Sequence, residues 1–116
     1  MVTATVTQTF AAIGDPIRST IVDRLASSDA TVGELVALFE ISFQAVSQHL
    51  DVLERAGLLT RRREGRTRRV QLVLEPLEEA LTWMESRRDR LEQRYARLDD
   101  LLDTLNDSTD TPEERP

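Results

Sequence analysis

The sequence predicts a mainly α chain with a small β-hairpin, and three features carry that reading. Two helix patterns meet across a short turn between Thr31 and Gly57. A basic strand–turn–strand pattern follows, in which Arg61, Arg62, Arg63, Arg66, Arg68 and Arg69 fall within nine positions. Past Pro76, apolar residues recur in steps of four and three as far as Leu105.

With 116 residues the chain makes one small domain, expected over 1–105, followed by a disordered acidic tail over 106–116. No apolar run approaches the roughly 18 residues that a membrane span requires. The N-terminus lacks the charged-then-apolar pattern of a signal peptide, so the expectation is a cytoplasmic protein with no membrane partner. The absence of cysteine removes disulfides, thiolate metal sites, iron–sulfur clusters and thiol redox sensing together.

A net charge of −6 argues against nucleic acid as a sum, but the distribution argues for it. Residues 1–58 carry seven acids against three arginines, whereas residues 59–74 carry six arginines against Glu64 alone, a local net of +5. A basic stripe on an acidic body binds DNA locally while the body discourages indiscriminate adhesion. Lysine is absent altogether, so the clustering of arginine carries the inference and the choice of arginine does not.

Residues 7–13 form a first, short helix pattern with Phe10 and Ile13 on one side. Gly14-Asp15-Pro16 ends it and starts the next: Asp15 suits an N-cap, and Pro16 the first helical position, where its missing N–H costs nothing. Ile17, Ile21 and Leu25, with Val22, give the second helix one buried face. Thr31-Val32-Gly33-Glu34 has the form of a capping box and opens a third helix carrying Leu35, Val36, Leu38 and Phe39. Ser42 is the expected N-cap of the fourth helix, where Val46, Leu50 and Leu53 form the buried stripe and Gln44, Ser47, Gln48 and Asp51 face outward. Gly57 is its stop.

Two helices joined by a short turn, the second with polar side chains near its start, are a helix–turn–helix. Residues 59–64 and 68–74 then pair across Glu64-Gly65-Arg66-Thr67 as a hairpin, with Val70, Leu72 and Leu74 alternating and Val73 breaking strict period two. Helix–turn–helix plus basic hairpin is a winged helix. In the last helix Leu77, Leu81, Met84, Arg88, Leu91, Tyr95, Leu98, Leu102 and Leu105 form a heptad seam with Arg88 its one charged member. An isolated seam would stay wet, so it implies pairing with another chain.

These residues bring a family into view. Phe10 to Arg18 (FAAIGDPIR), Thr31 to Leu35 (TVGEL), Gln44 to Leu50 (QAVSQHL) and Leu53 to Leu58 (LERAGL) together resemble the ArsR family of winged-helix bacterial repressors. The resemblance covers roughly residues 7–105, and the order and spacing of the motifs carry it more than any one of them. It implies a winged helix–turn–helix with long N- and C-terminal dimerisation helices, a homodimer whose recognition helices enter successive major grooves of an imperfect palindrome. Metal-sensing members carry a cysteine pair in the third helix, at or near the positions of Val36 and Leu38 here. Others place Asp and His ligands in the last helix, which here has no histidine; Asp99 and Asp103 alone would make a weak, hard-cation site. The resemblance is therefore to the metal-independent branch, with no metal and no cofactor.

The candidate DNA contacts are Gln44, Ser47, Gln48 and His49 on the recognition helix and Arg63, Arg66 and Arg68 on the wing. Gln bonds adenine bidentately and Ser serves several bases, whereas arginines at a wing tip meet backbone or minor groove. His49 is either a packing residue or a phosphate ligand, and nothing around it makes a catalytic set. Arg61, Arg62 and Arg69 are open to pairing with Glu64 or with the acidic last helix. Arg18 is open to phosphate, or to a salt bridge with Glu34 or Asp15. Phe10, Leu81, Met84, Arg88, Leu91, Tyr95 and Leu98 are the expected dimer interface. Trp83 and Tyr95 are expected in that interface core, with a ligand platform as the alternative, and Arg88 would meet an acid of the partner.

The function expected from all this is a non-enzymatic, homodimeric repressor that binds double-stranded DNA at a short palindrome. Two alternatives stay open: a sensor of the same type answering an unknown small-molecule effector, and a winged-helix module whose last helix binds another protein.

Overall fold

In a computed structural model of the chain the backbone is described over residues 2–114 and side chains over residues 5–106. The elements run α1 (Val2–Ile13), α2 (Pro16–Ser27), β1 (Ala30–Thr31), α3 (Val32–Val36), α4 (Phe43–Arg55), β2 (Leu59–Glu64), β3 (Thr67–Leu72) and α5 (Leu74–Glu114). They divide into two compact units, up to Leu81 and from Thr82 on.

Capping sets most boundaries. The Asp15 carboxylate accepts from the amides of Ile17 at 2.9 Å and Arg18 at 3.1 Å, with Pro16 opening α2. Thr31 and Glu34 complete the capping box in both directions, at 3.1 and 2.8 Å. The Ser42 hydroxyl accepts from Ala45 N at 3.0 Å and opens α4. At the other end Gly57, at φ 79°, lets Leu58 N bond Leu53 O and its own amide bond Glu54 O, a Schellman closure.

The structure departs from the sequence expectation in four places. α1 starts at Val2, well before Thr7, because Val6 and Thr9 already face inward; buried Thr9 satisfies its hydroxyl on Thr5 O of its own helix at 3.2 Å. α3 ends at Val36, so Leu38 and Phe39 lie in the turn that follows, with Leu38 exposed and Phe39 half-buried against the core. Ala30 and Thr31 add a third strand, giving the sheet order β1-β3-β2, all antiparallel. Finally, β3 stops at Leu72 and α5 begins at Leu74 and is helical to Glu114, beyond the Leu105 at which the apolar repeat ends.

The core is one cluster in which α2, α3 and α4 meet the sheet. Ile21, Leu35, Val46, Leu50, Leu53, Leu58 and Val70 are all fully buried, so the Val46/Leu50/Leu53 stripe does turn inward. Complete burial of side chains of this size is worth about 1.5–3 kcal/mol each. That fixes α4, and hence the opposite face of α4, against the wing. Among the described residues no helix is long and apolar enough to cross a membrane.

Candidate nucleic-acid interface

With one side of α4 locked in the core, the other side is forced into solvent. Gln44 and Gln48, one turn apart, are exposed, and Ser47 is half-buried beside them. Ser47 and Phe43 border a groove of about 460 Å³ whose remaining walls are the start of α3 (Thr31, Val32, Gly33) and the wing (Arg61, Arg63, Arg66, Thr67, Arg68).

Strand periodicity decides which arginines face that groove. The register pairs Leu59 with Leu72, Arg61 with Val70 and Arg63 with Arg68, so these share the face that starts in the core. Arg62 and Arg69, opposite each other, point the other way. The turn is two residues long, with Gly65 at φ 61° in its first position, the place where a primed turn needs positive φ. Arg66 is the second.

Of the arginines whose partners the sequence leaves open, Arg69 takes one of the two alternatives and pairs with Glu64, Nε to Oε1 at 3.0 Å. Arg61 pairs elsewhere than with Glu64: its Nη2 reaches Asp51 and Glu54 of α4, at 2.5 and 2.6 Å. Those carboxylates, Glu54 first, hold the guanidinium proton more firmly than usual, against partial burial. Arg61 thus bolts the base of the hairpin to α4. Arg62, Arg63, Arg66 and Arg68 have no acidic partner among the described residues.

Arg18 forms neither of the salt bridges open to it. Its Nε and Nη2 donate to the carbonyls of Ala12 and Ala11 at the end of α1, and its Nη1 lies 3.2 Å from His49 Nδ1. Arginine has no acceptor to offer, so Nδ1 is the acceptor in this contact and Nε2 is the ring nitrogen left to donate. Asp15 Oδ2 is 3.8 Å from the same Nδ1. His49 is therefore first a link between helices. No sequence signal predicts this, since the partners are thirty-one positions apart.

On α5 the expected interface residues Leu81, Met84, Leu91, Tyr95 and Leu98 are exposed, joined by Leu101, Leu102 and Leu105. Arg88 meets Asp89 of its own helix at 3.3 Å and Glu92 at 4.0 Å. Arg87 stacks on Trp83, 4.2 Å from the ring centroid. Phe10, on α1, is half-buried.

Residues 15–61 match the family model described as bacterial regulatory protein, arsR family. The transcriptional repressor SdpR of Bacillus subtilis (strain 168) is 35% identical over 75 residues, covering 65% of this chain and 83% of that protein. The chain belongs to the ArsR family. An ArsR-family crystal structure superposes with a TM-score of 0.73 at 27% identity, covering 77% of this chain and 92% of its own. HlyU from Vibrio cholerae N16961 follows at TM-score 0.61 and 31% identity, covering 73% and 91%. As an ArsR-family chain it is a DNA-binding transcription regulator of the winged helix–turn–helix type.

Proposed function

We propose that this regulator is a homodimeric repressor that occludes a promoter by binding a short imperfect palindrome, with no metal in its switching. One observation carries the reading. Arg63 and Arg68 stand directly opposite each other, with no acidic partner among the described residues, on the strand face that turns toward the start of α4. Like charges directly opposed across two strands are destabilising, so the arrangement is explained by an anion that lies between wing and helix. A DNA phosphate fits it.

In this reading Gln44, Ser47 and Gln48 face base edges, Arg63, Arg66 and Arg68 hold the backbone, and His49 offers its Nε2–H to a phosphate while Arg18 holds the ring. The exposed apolar seam of α5 supports pairing of two copies, because so many leucines on one helix side would otherwise remain in water. Val36 and Leu38 offer no ligand atoms, which supports metal independence.

Fluorescence anisotropy with the chain's own upstream promoter and a scrambled duplex, at several salt concentrations, tests the proposal. A large preference for the promoter, with affinity falling by about three to five decades between 50 and 200 mM salt for six to ten phosphates, is the expected result. Equal, weak binding to both duplexes would overturn the promoter as the target.

A further inference from the structure

Phe43 is the first residue of α4 and 60% exposed, the most exposed of the chain's aromatic side chains with a described burial. It continues the Val46/Leu50/Leu53 stripe by one step of three, yet those residues are fully buried and Phe43 emerges into water. The reason is its position. α4 enters the core only after its first turn, and with Ser42 as N-cap there is no preceding helical turn to cover the ring. Nothing about helix formation asks for phenylalanine here, since aromatic residues are mediocre helix formers and an exposed ring forgoes the benefit of burial.

The ring has polar readers on its flanks: Gln44 beside it, Ser47 one turn on, and the wing arginines across the groove. The first turn of a recognition helix is the part that approaches base edges. A flat apolar group there has one good partner in the major groove, the C5-methyl of thymine, the only apolar substituent a standard base presents.

We propose that Phe43 is a specificity-determining residue that reads a thymine methyl within the half-site. This rests on the DNA-binding reading above and adds a base to it. Burying one methyl against the ring is worth about 0.8 kcal/mol, which is about fourfold in affinity. Gln44 and Ser47 discriminate through hydrogen bonds, so the apolar contact supplies a distinction that they do not make: thymine from uracil, which share every donor and acceptor.

The test is to select the preferred duplex from a randomised pool with the full chain, then replace each thymine of one half-site by deoxyuridine, one at a time. Wild type should lose about fourfold at one thymine position, and Phe43→Ala, weaker on the parent duplex, should lose nothing further there. Phe43→Leu should keep part of the preference. Thermal melting of both variants serves as the folding control, and the exposure of the ring predicts melts close to wild type. Uracil tolerated at every position by wild type, or an equal loss in wild type and Phe43→Ala, would overturn the assignment while leaving DNA binding intact. A pool that yields no preferred sequence would overturn the DNA-reading proposal itself, and Phe43 with it.

Discussion

Arg63 and Arg68 are directly opposed across the β2–β3 hairpin, two cations in register on the face that borders the start of the recognition helix. In isolation this pair costs the hairpin stability, and against a phosphate the same pair is an asset. Replacing both by glutamine should leave the thermal midpoint unchanged or slightly raised at low salt, while DNA affinity falls and the salt slope flattens by about 0.9 for each phosphate no longer neutralised. Melting curves and salt titrations on the same preparation check it. A lower midpoint with an unchanged slope would make the pair structural.

Gln44→Ala should narrow the gap between cognate and random DNA more than it weakens binding to either. One bidentate hydrogen-bonded pairing with a base is worth about 1–3 kcal/mol of discrimination. Competition titrations with both duplexes measure that gap, and equal weakening on the two would remove Gln44 from the base-reading set.

Arg61→Met should destabilise the fold, because Asp51 and Glu54 would be left facing each other at the base of the wing. Both carboxylates are substantially exposed, so solvent screening keeps the loss to about 1 kcal/mol or less, a small but measurable shift of the urea midpoint. The effect should appear without DNA present, which separates this arginine from Arg63, Arg66 and Arg68.

Acid should loosen the helix starts. The backbone amide of Arg18 holds the Asp15 carboxyl below its ordinary value of 3.8, and the backbone amide of Thr31 does the same for Glu34, ordinarily 4.5. Depressed carboxyls contribute stability that is fully present above these ordinary values and disappears as pH falls through the lower, folded ones. In Asp15→Asn the amide oxygen can still cap but carries no charge. The difference in melting temperature between wild type and this variant should therefore shrink from about pH 6 to about pH 3. A gap that stays constant would assign the effect to shape alone.

Leu91→Asp, alone or with Leu98→Asp, should shift the chain toward monomer in sedimentation without changing its helical circular dichroism per residue much. Both side chains are exposed on α5, so neither substitution costs the chain its own packing. Persistence of the dimer would move the pairing surface to α1 or elsewhere.

Much of this was legible in sequence because the signals are local. Asp15-Pro16, Thr31 with Glu34, and Ser42 each satisfy amides two or three residues on, and the Val46/Leu50/Leu53 repeat needs only the helical period. What was not legible depends on tertiary neighbours. β1 is two residues long and shows no alternation; it exists because Val70 and Arg69 offer an open edge. Thr9 reads as polar but is buried, its hydroxyl spent on its own helix. Arg61 and Arg18 find partners that no spacing rule connects to them. Phe43 is a further case: it lies one step of three before Val46, yet its place at the start of the helix puts it outside.

Thr31 belongs to two structures at once. Its backbone pairs with Arg69 in the sheet, while its hydroxyl caps α3, the first helix of the helix–turn–helix. The wing is thereby stitched to the reading head rather than hung from a hinge. In the proposed complex little conformational freedom would remain to be surrendered between them on contact, so the distance from base edge to gripped backbone would be a fixed gauge. On that proposal a duplex whose local groove width did not suit the gauge would have to deform itself, and selectivity would then extend to base pairs that no side chain touches.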